Sequence, residues 1–146
     1  MLFRNNNTVS WRLTCYYGYP ERTKRRESWN LIRRLETITT DPWCIWGDFN
    51  DLMFASDKKG RIKHPQYLLD GFRSAIEDCQ LSELSLKGGK YTWEKFRGTN
   101  AWFREKLDRG FGNAAWWTKF PANNLKLFTH QSRIMSRFYW SFCIRR

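Results

Sequence analysis

The run Trp43-Cys44-Ile45-Trp46, closed in front by Pro42 and behind by Gly47, limits the fold more than any other stretch of this chain. Four apolar residues in succession leave neither face of a strand for water. Such a strand belongs in the middle of a sheet that is covered on both sides. The neighbouring sequence supplies covers. Residues 21–39 carry Trp29, Ile32, Leu35 and Ile38 on one helical stripe, with Arg25, Arg26, Arg33 and Arg34 largely off it. Residues 67–79 repeat the pattern, with Leu68, Leu69, Phe72, Ile76 and Cys79 inward. Residues 9–17 are rich in β-branched and aromatic side chains and read as a strand that Gly18 and Pro20 end. Tyr91-Thr92-Trp93 is a β-type tripeptide after Gly88-Gly89. Residues 111–120 read as a short helix stopped by Pro121, and residues 125–129 as a last strand. Strands alternating with helices predict an α/β layered architecture, whose functional residues gather at strand ends and the loops beyond.

Composition narrows the partners. A chain of 146 residues with 41% hydrophobic and 18% aromatic residues can enclose one core and is too apolar to be disordered. Lys and Arg number 26 against 14 Asp and Glu, a net charge of +12. That excess favours a polyanion, such as DNA, RNA or an anionic membrane, although a plain solvated basic surface is the bland alternative. Membrane ranks last, because no apolar run reaches spanning length and no basic segment has an unbroken apolar face. Cys15, Cys44, Cys79 and Cys143 include no CxxC pair, and neither His64 nor His130 lies near paired cysteines, which argues against a zinc site. The first three cysteines sit in apolar stretches and are expected to be buried. Residues 1–7 run into polar asparagines instead of a leader. The expected location is therefore intracellular, nucleus or cytoplasm, and not secreted.

The sharpest chemical signal is Gly47-Asp48-Phe49-Asn50. An apolar strand delivers an Asp and an Asn, two apart, into the following loop. There the carboxylate can bind a cation or take a proton from water, and the amide can donate to or accept from a phosphate. An Asx turn that merely ends the strand explains the same residues. Around it, in order, stand Tyr17-Gly18-Tyr19-Pro20, Tyr91-Thr92-Trp93 and Lys106-Leu107-Asp108-Arg109. Each has a plain reading too. Tyr17 can be a strand-end aromatic, Asp108 can pair with Arg109 or Arg104 on the surface, and Trp93 can be core.

Taken in order, these elements resemble the endonuclease/exonuclease/phosphatase superfamily of AP-endonuclease-like enzymes. The phrasing Trp11-Arg12-Leu13-Thr14, Tyr17-Gly18-Tyr19-Pro20-Glu21, Ser28-Trp29, Trp46-Gly47-Asp48-Phe49-Asn50-Asp51 and Phe120-Pro121 is similar to its plant-type non-LTR retrotransposon branch. The resemblance covers roughly residues 9–131. It implies a DNase I-like four-layer α/β/β/α sandwich and a Mg²⁺-dependent DNA phosphodiesterase, in which water attacks phosphorus in line. Carried over, Tyr17 would contact the scissile phosphate and Asp48 would orient or deprotonate the water, with Asn50 beside it. Asp108 would hold the imidazole of a catalytic histidine. Trp93 and Arg109 would face substrate.

Two pieces of that pattern are missing. No Glu precedes Tyr17, so the family's metal-binding carboxylate is absent and no metal site is expected to be intact. The sandwich is expected to be partial and incomplete at the N-terminus. The Ser-Asp-His motif that should follow Phe120-Pro121 is absent as well, and His130 falls upstream of its place. One permitted coding of residues 132–138, shifted by two nucleotides, reads Ser-Asp-His-Val-Pro-Phe. Residues 1–131 are accordingly read as a partial domain and residues 132–146 as an out-of-frame tail. The expectation is a catalytically inactive nuclease fragment that does not hold Mg²⁺ tightly. The alternative is a basic nucleic-acid-binding module without catalysis.

Overall fold

The computed structural model describes residues 2–3, 10–38, 40–87, 89–121, 125–128 and 139–141. In chain order its elements are β1 (Leu2–Phe3), β2 (Trp11–Tyr17), α1 (Arg25–Glu36), β3 (Trp43–Asp48), β4 (Lys58–Gly60), α2 (Gln66–Asp78), β5 (Ser82–Glu83), β6 (Leu86–Lys87), β7 (Trp93–Lys95), β8 (Phe103–Glu105), β9 (Asp108–Gly112), α3 (Ala114–Lys119), β10 (Leu125–Phe128) and β11 (Tyr139–Ser141). The main sheet runs β1-β2-β3-β9-β5. Its centre is the apolar run, parallel to β2 on one side and antiparallel to β9 on the other.

Alternation along β3 builds two cores. Trp43 and Ile45 join Tyr16, Phe49 and Phe111 under Ile32 of α1 and Phe72 and Ile76 of α2. Cys44 points the other way, with Leu84 and Trp116 of α3, and Trp11, Leu13, Trp117 and Phe120 pack against them. The central strand is therefore covered on both faces, as its composition requires. The smaller sheets are β4-β8-β7 and β11-β10-β6. No helix among the described residues is long and apolar enough to cross a membrane.

Several elements differ from the sequence reading. The helix expected over residues 21–39 is a 3-10 turn, Arg22–Lys24, followed by α1. The helix stops before Ile38, which is 64% exposed and leaves the inward stripe. Arg25, expected off that stripe, is buried because its guanidinium meets Pro20 O at 2.9 Å and Asp51 at 3.2 Å. Cys15 is exposed, whereas Cys44 and Cys79 are buried as expected. It lies one alternation past Leu13, beyond the second core. The helix expected over residues 111–120 begins only at Ala114, where the Asn113 side chain accepts from Trp116 N at 2.8 Å. The two residues before that cap close β9. This strand was not foreseen, since Asp108-Arg109-Gly110-Phe111-Gly112 has poor strand propensity and is held by pairing to β3. Of Tyr91-Thr92-Trp93, only Trp93 lies in a strand. His130, Cys143 and the reading of residues 132–146 as a tail lie outside the described residues, apart from Tyr139–Ser141, which pairs with β10.

The two large helices meet where Gly71 of α2 lies under Trp29 of α1. A Cβ at Gly71 would stand 2.2 Å from the indole. The ring is held by its Nε1–H bond to Asp51 at 2.8 Å, so it cannot easily yield. Gly71→Ala is expected to lower stability by about 1–3 kcal/mol, read as a fall in the urea midpoint at unchanged slope.

Candidate active site

The register of three neighbouring strands assembles the site. Tyr17 at the end of β2 pairs with Asp48 at the end of β3. Asp48 pairs in turn with Asp108 at the start of β9. Cross-strand partners share a face, so these three side chains stand in a row on the face opposite α1 and α2, at the carboxyl ends of β2 and β3. Crevices at such ends are the usual ligand sites of α/β sheets. Tyr17 is 72% exposed. An open cleft of ≈ 460 Å³ is lined by Tyr17 and Asp48 of the row and by Asn50, His64 and Trp93, among others, while Asp108 is buried behind Asp48.

Local backbone chemistry shapes the loop beyond β3. Gly47 has φ +147°, and a Cβ there would lie 2.0 Å from Tyr16 O. Only glycine lets β2 and β3 approach so closely at this point. Asn50 adopts φ +53°, a left-handed conformation that Asn tolerates. Its N–H donates to Asp48 Oδ1 at 2.8 Å, and its amide Nδ2 donates to Gly18 O at 2.9 Å. The Asx turn is therefore present, and it does not compete with the functional reading. It aims the carboxylate and ties the loop to the Tyr17-Gly18 segment.

Asp48 and Asp108 are two carboxylates side by side. Burial raises Asp108 to about 6, opposed by the Thr92 hydroxyl and reinforced by the charge of Asp48. Burial raises Asp48 as well, opposed by the Asn50 N–H and by Arg25. Thr92 Oγ1 also accepts from Leu107 N and Asp108 N, each at 3.0 Å. Sequence reading treated Tyr91-Thr92-Trp93 as β structure with a candidate aromatic. Its middle hydroxyl, the group that holds Asp108, went unnoticed.

His64 was also missed, as were Arg25, Lys58 and Glu105. All four line the cleft. His64 is the one histidine among the described residues, placed just before the first turn of α2. Burial lowers its imidazole to about 4, with Glu105 opposing and Lys58, Arg25 and Arg22 reinforcing the shift. Its Nε2 is buried without a hydrogen-bond partner. The imidazole is therefore neutral at physiological pH. Lys58 Nζ meets Glu105 Oε1 at 2.7 Å across β4 and β8, which closes one wall.

Arg109 does not reach the cleft, contrary to the sequence expectation. Alternation along β9 turns it to the face opposite Asp108, where its side chain is fully buried. It donates to the Asp57 carboxylate and, at 2.7 Å, to Glu83 Oε1. Asp57 also accepts from Met53 N at 3.1 Å and Phe54 N at 2.9 Å. Arg109 thereby staples the loop after Asn50 to β9. Trp93 is at the cleft wall and 39% exposed, so it is not core.

The Asp48 carboxylate and the Asn50 amide at the cleft, with the buried Asp108 carboxyl next to Asp48 in register, are hard oxygen groups of the type that suits Mg²⁺. Among the described residues, no three His, Cys, Asp or Glu side chains converge as a metal-binding group.

No family model matches the chain, and no curated protein sequence matches it. Solved structures do. The fold is similar to the endonuclease domain of TRAS1, a telomere-specific non-LTR retrotransposon, with a TM-score of 0.57 at 12% identity over 86% of this chain and 53% of that one. The beta toxin of Staphylococcus aureus is matched with a TM-score of 0.49 at 17% identity, over 88% of this chain and 46% of that one. The chain thus spans about half the length of the structures it matches. Its architecture is that of the DNase I-like endonuclease fold, a partial α/β sandwich.

Removing Arg109 leaves Asp57 buried without its partner. Arg109→Met is expected to destabilise the fold by about 3–5 kcal/mol in urea melts, and to leave oligonucleotide affinity unchanged under conditions where it is folded. Asp108 has a second consequence. Its folded pKa of about 6 lies above that of an unfolded Asp, so the native state binds the extra proton between roughly pH 4 and 6. The contribution of Asp108 to stability is expected to be full below that window and to be lost as pH rises through it. Asp48→Asn removes the like charge and is expected to move the Asp108 carboxyl ¹³C titration to lower pH. A midpoint that stays near 6 would rule out the coupling.

Proposed function

We propose that this chain carries the substrate-facing part of a metal-dependent phosphodiesterase centre of the retrotransposon-endonuclease kind. On its own it binds nucleic acid through that cleft and cleaves it poorly. The observation that carries this reading is the row Tyr17–Asp48–Asp108, whose Tyr17 and Asp48 line the cleft together with Asn50, which is bonded to Asp48 and Gly18. Tyr17 can donate its hydroxyl to a phosphate oxygen. The Asp48 carboxylate, aimed by the Asn50 N–H, can accept a proton from water above the phosphate. Asp108, fixed by Thr92, adds the second carboxylate. Asp48 at the cleft, with Asp108 buried behind it, would hold Mg²⁺, which when bound offsets phosphate charge. A pair of carboxylates without a third makes that hold weak.

Poor cleavage follows from proton transfer. The one described histidine, with its imidazole lowered to about 4, has no proton to give at neutral pH and keeps Nε2 buried, and Asp108 engages a threonine hydroxyl. A positioned general acid–base contributes about 10²–10⁴ in rate. DNA as the partner is supported by the net charge of +12 and by Arg22 and Lys58 at the cleft.

The test combines anisotropy on a labelled duplex with Mg²⁺-dependent nicking of supercoiled plasmid. Two or three phosphate contacts predict affinity falling about tenfold to fiftyfold between 50 and 200 mM salt, with no nicking above background. Affinity indifferent to salt would remove nucleic acid as the partner. Mg²⁺-dependent nicking that disappears in Asp48→Ala would show a complete centre in place of a weakened one. A basic binding module unrelated to this cleft predicts binding that neither Mg²⁺ nor Asp48→Ala alters.

A further inference from the structure

Beside the catalytic row lies a second hollow of ≈ 670 Å³. It opens between the segment after β4 and the β7–β8 hairpin, and shares Arg22, Lys58 and Phe103 with the cleft. Its walls are unusual for a solvent-facing surface. Phe96 is 50% exposed and Ile62 74% exposed. The rings carry cations. Lys95 Nζ lies 4.9 Å from the Phe96 ring, Lys58 Nζ 4.6 Å from the Phe103 ring, and the Arg104 guanidinium 5.1 Å from the Trp102 ring.

The exposure of Phe96 is built in. Its φ is +57°, a left-handed conformation that a bulky aromatic residue adopts only under constraint. The constraint is a locked turn. Thr99 N–H and Thr99 Oγ1–H both donate to Phe96 O, at 3.1 and 2.8 Å, and Trp102 N–H donates to Thr99 O at 3.1 Å. Trp102 is held in turn by its Nε1–H bond to Glu94 at 2.6 Å. Strain that holds an apolar ring in water is the kind found at binding sites.

We propose that this hollow is a nucleobase-binding subsite. Unpaired bases of a single strand stack on Phe96 and its aromatic neighbours, while the strand's phosphates run past Lys58 and Arg22 toward the cleft. Flat aromatic faces accept any base, and interleaved cations hold the backbone, which is the chemistry of single-strand binding surfaces. Paired bases in a duplex present edges and no free face, so the hollow favours unpaired ones. The subsite rests on the reading of the adjoining cleft as phosphate-binding, and the test separates the two.

The full chain is titrated by anisotropy with a labelled 12-nucleotide oligodeoxythymidylate. It is titrated in parallel with a strand of equal length whose residues are abasic. The two probes share phosphates and differ only in bases. The expected result is at least about tenfold tighter binding of the thymidylate strand, since each stacked base is worth about that factor. Phe96→Ala should remove most of this preference and leave abasic affinity as it was, and Phe96→Trp should retain it. Equal affinity for the two strands would overturn the base subsite and leave phosphate binding standing. No binding of either strand at low salt would overturn both readings.

Discussion

Burial of the Phe49 ring is the interaction on which the site depends. The ring stacks on Tyr16 at 4.7 Å and meets Phe111 at 5.2 Å and Phe72 at 5.6 Å. It thereby joins β2, β9 and α2 in one aromatic cluster. Phe49 stands between Asp48 and Asn50, so the same anchor that closes the core holds the polar residues on either side of it at the cleft. An apolar residue placed between two polar ones lets a loop be rigid without being buried. Its backbone is tied as well, with Phe49 N–H donating to Leu107 O at 3.0 Å beside Asp108. The packing of a hydrophobic ring and the position of a carboxylate are thus one event.

Strand alternation then sorts charge. On one face of β9, Asp108 meets Asp48 across the pair of strands, and the partly dry setting raises both carboxyls. On the other face, Arg109 disappears under the loop after Asn50 and is neutralised by Asp57 and Glu83. Adjacent residues of the chain therefore do opposite work. Asp108 is set in a buried position behind the cleft carboxylate Asp48, and Arg109 consumes its charge in holding the scaffold. The guanidinium of Arg25 is divided in a similar way, since it lines the cleft but leans on Asp51 and Pro20. Buried pairs of this kind stabilise little by themselves. What they supply is a fixed geometry for the carboxylates beside them.

The small β4-β8-β7 sheet follows a different logic. Its rings are half-buried or exposed and lie under lysine side chains, while Lys58 and Glu105 link it to the cleft. A scaffold of buried aromatics and an outwork of exposed ones coexist in a chain whose composition counts them together. The aromatic content of 18% is thus shared between rings buried under the main sheet and rings left part-exposed at the small one.

Tyr17 and Asp108 entered only through the family resemblance; the sequence by itself determined the central strand, the two long helices and the strand-end candidates Asp48 and Asn50. These are written in local patterns: an apolar run, a 3.6-residue stripe, a glycine followed by polar residues at a strand end. It did not reveal β9, because Asp108-Arg109-Gly110-Phe111-Gly112 becomes a strand only when β3 pairs with it. Nor did it separate Asp108 from Arg109, Thr92 from its neighbours, or His64 from an ordinary loop histidine. Which face a residue takes in a strand of poor propensity depends on register with a partner distant in sequence. Tertiary structure alone decided that register, because the hydrogen bonds and the aromatic contacts that select it join residues that no local window contains.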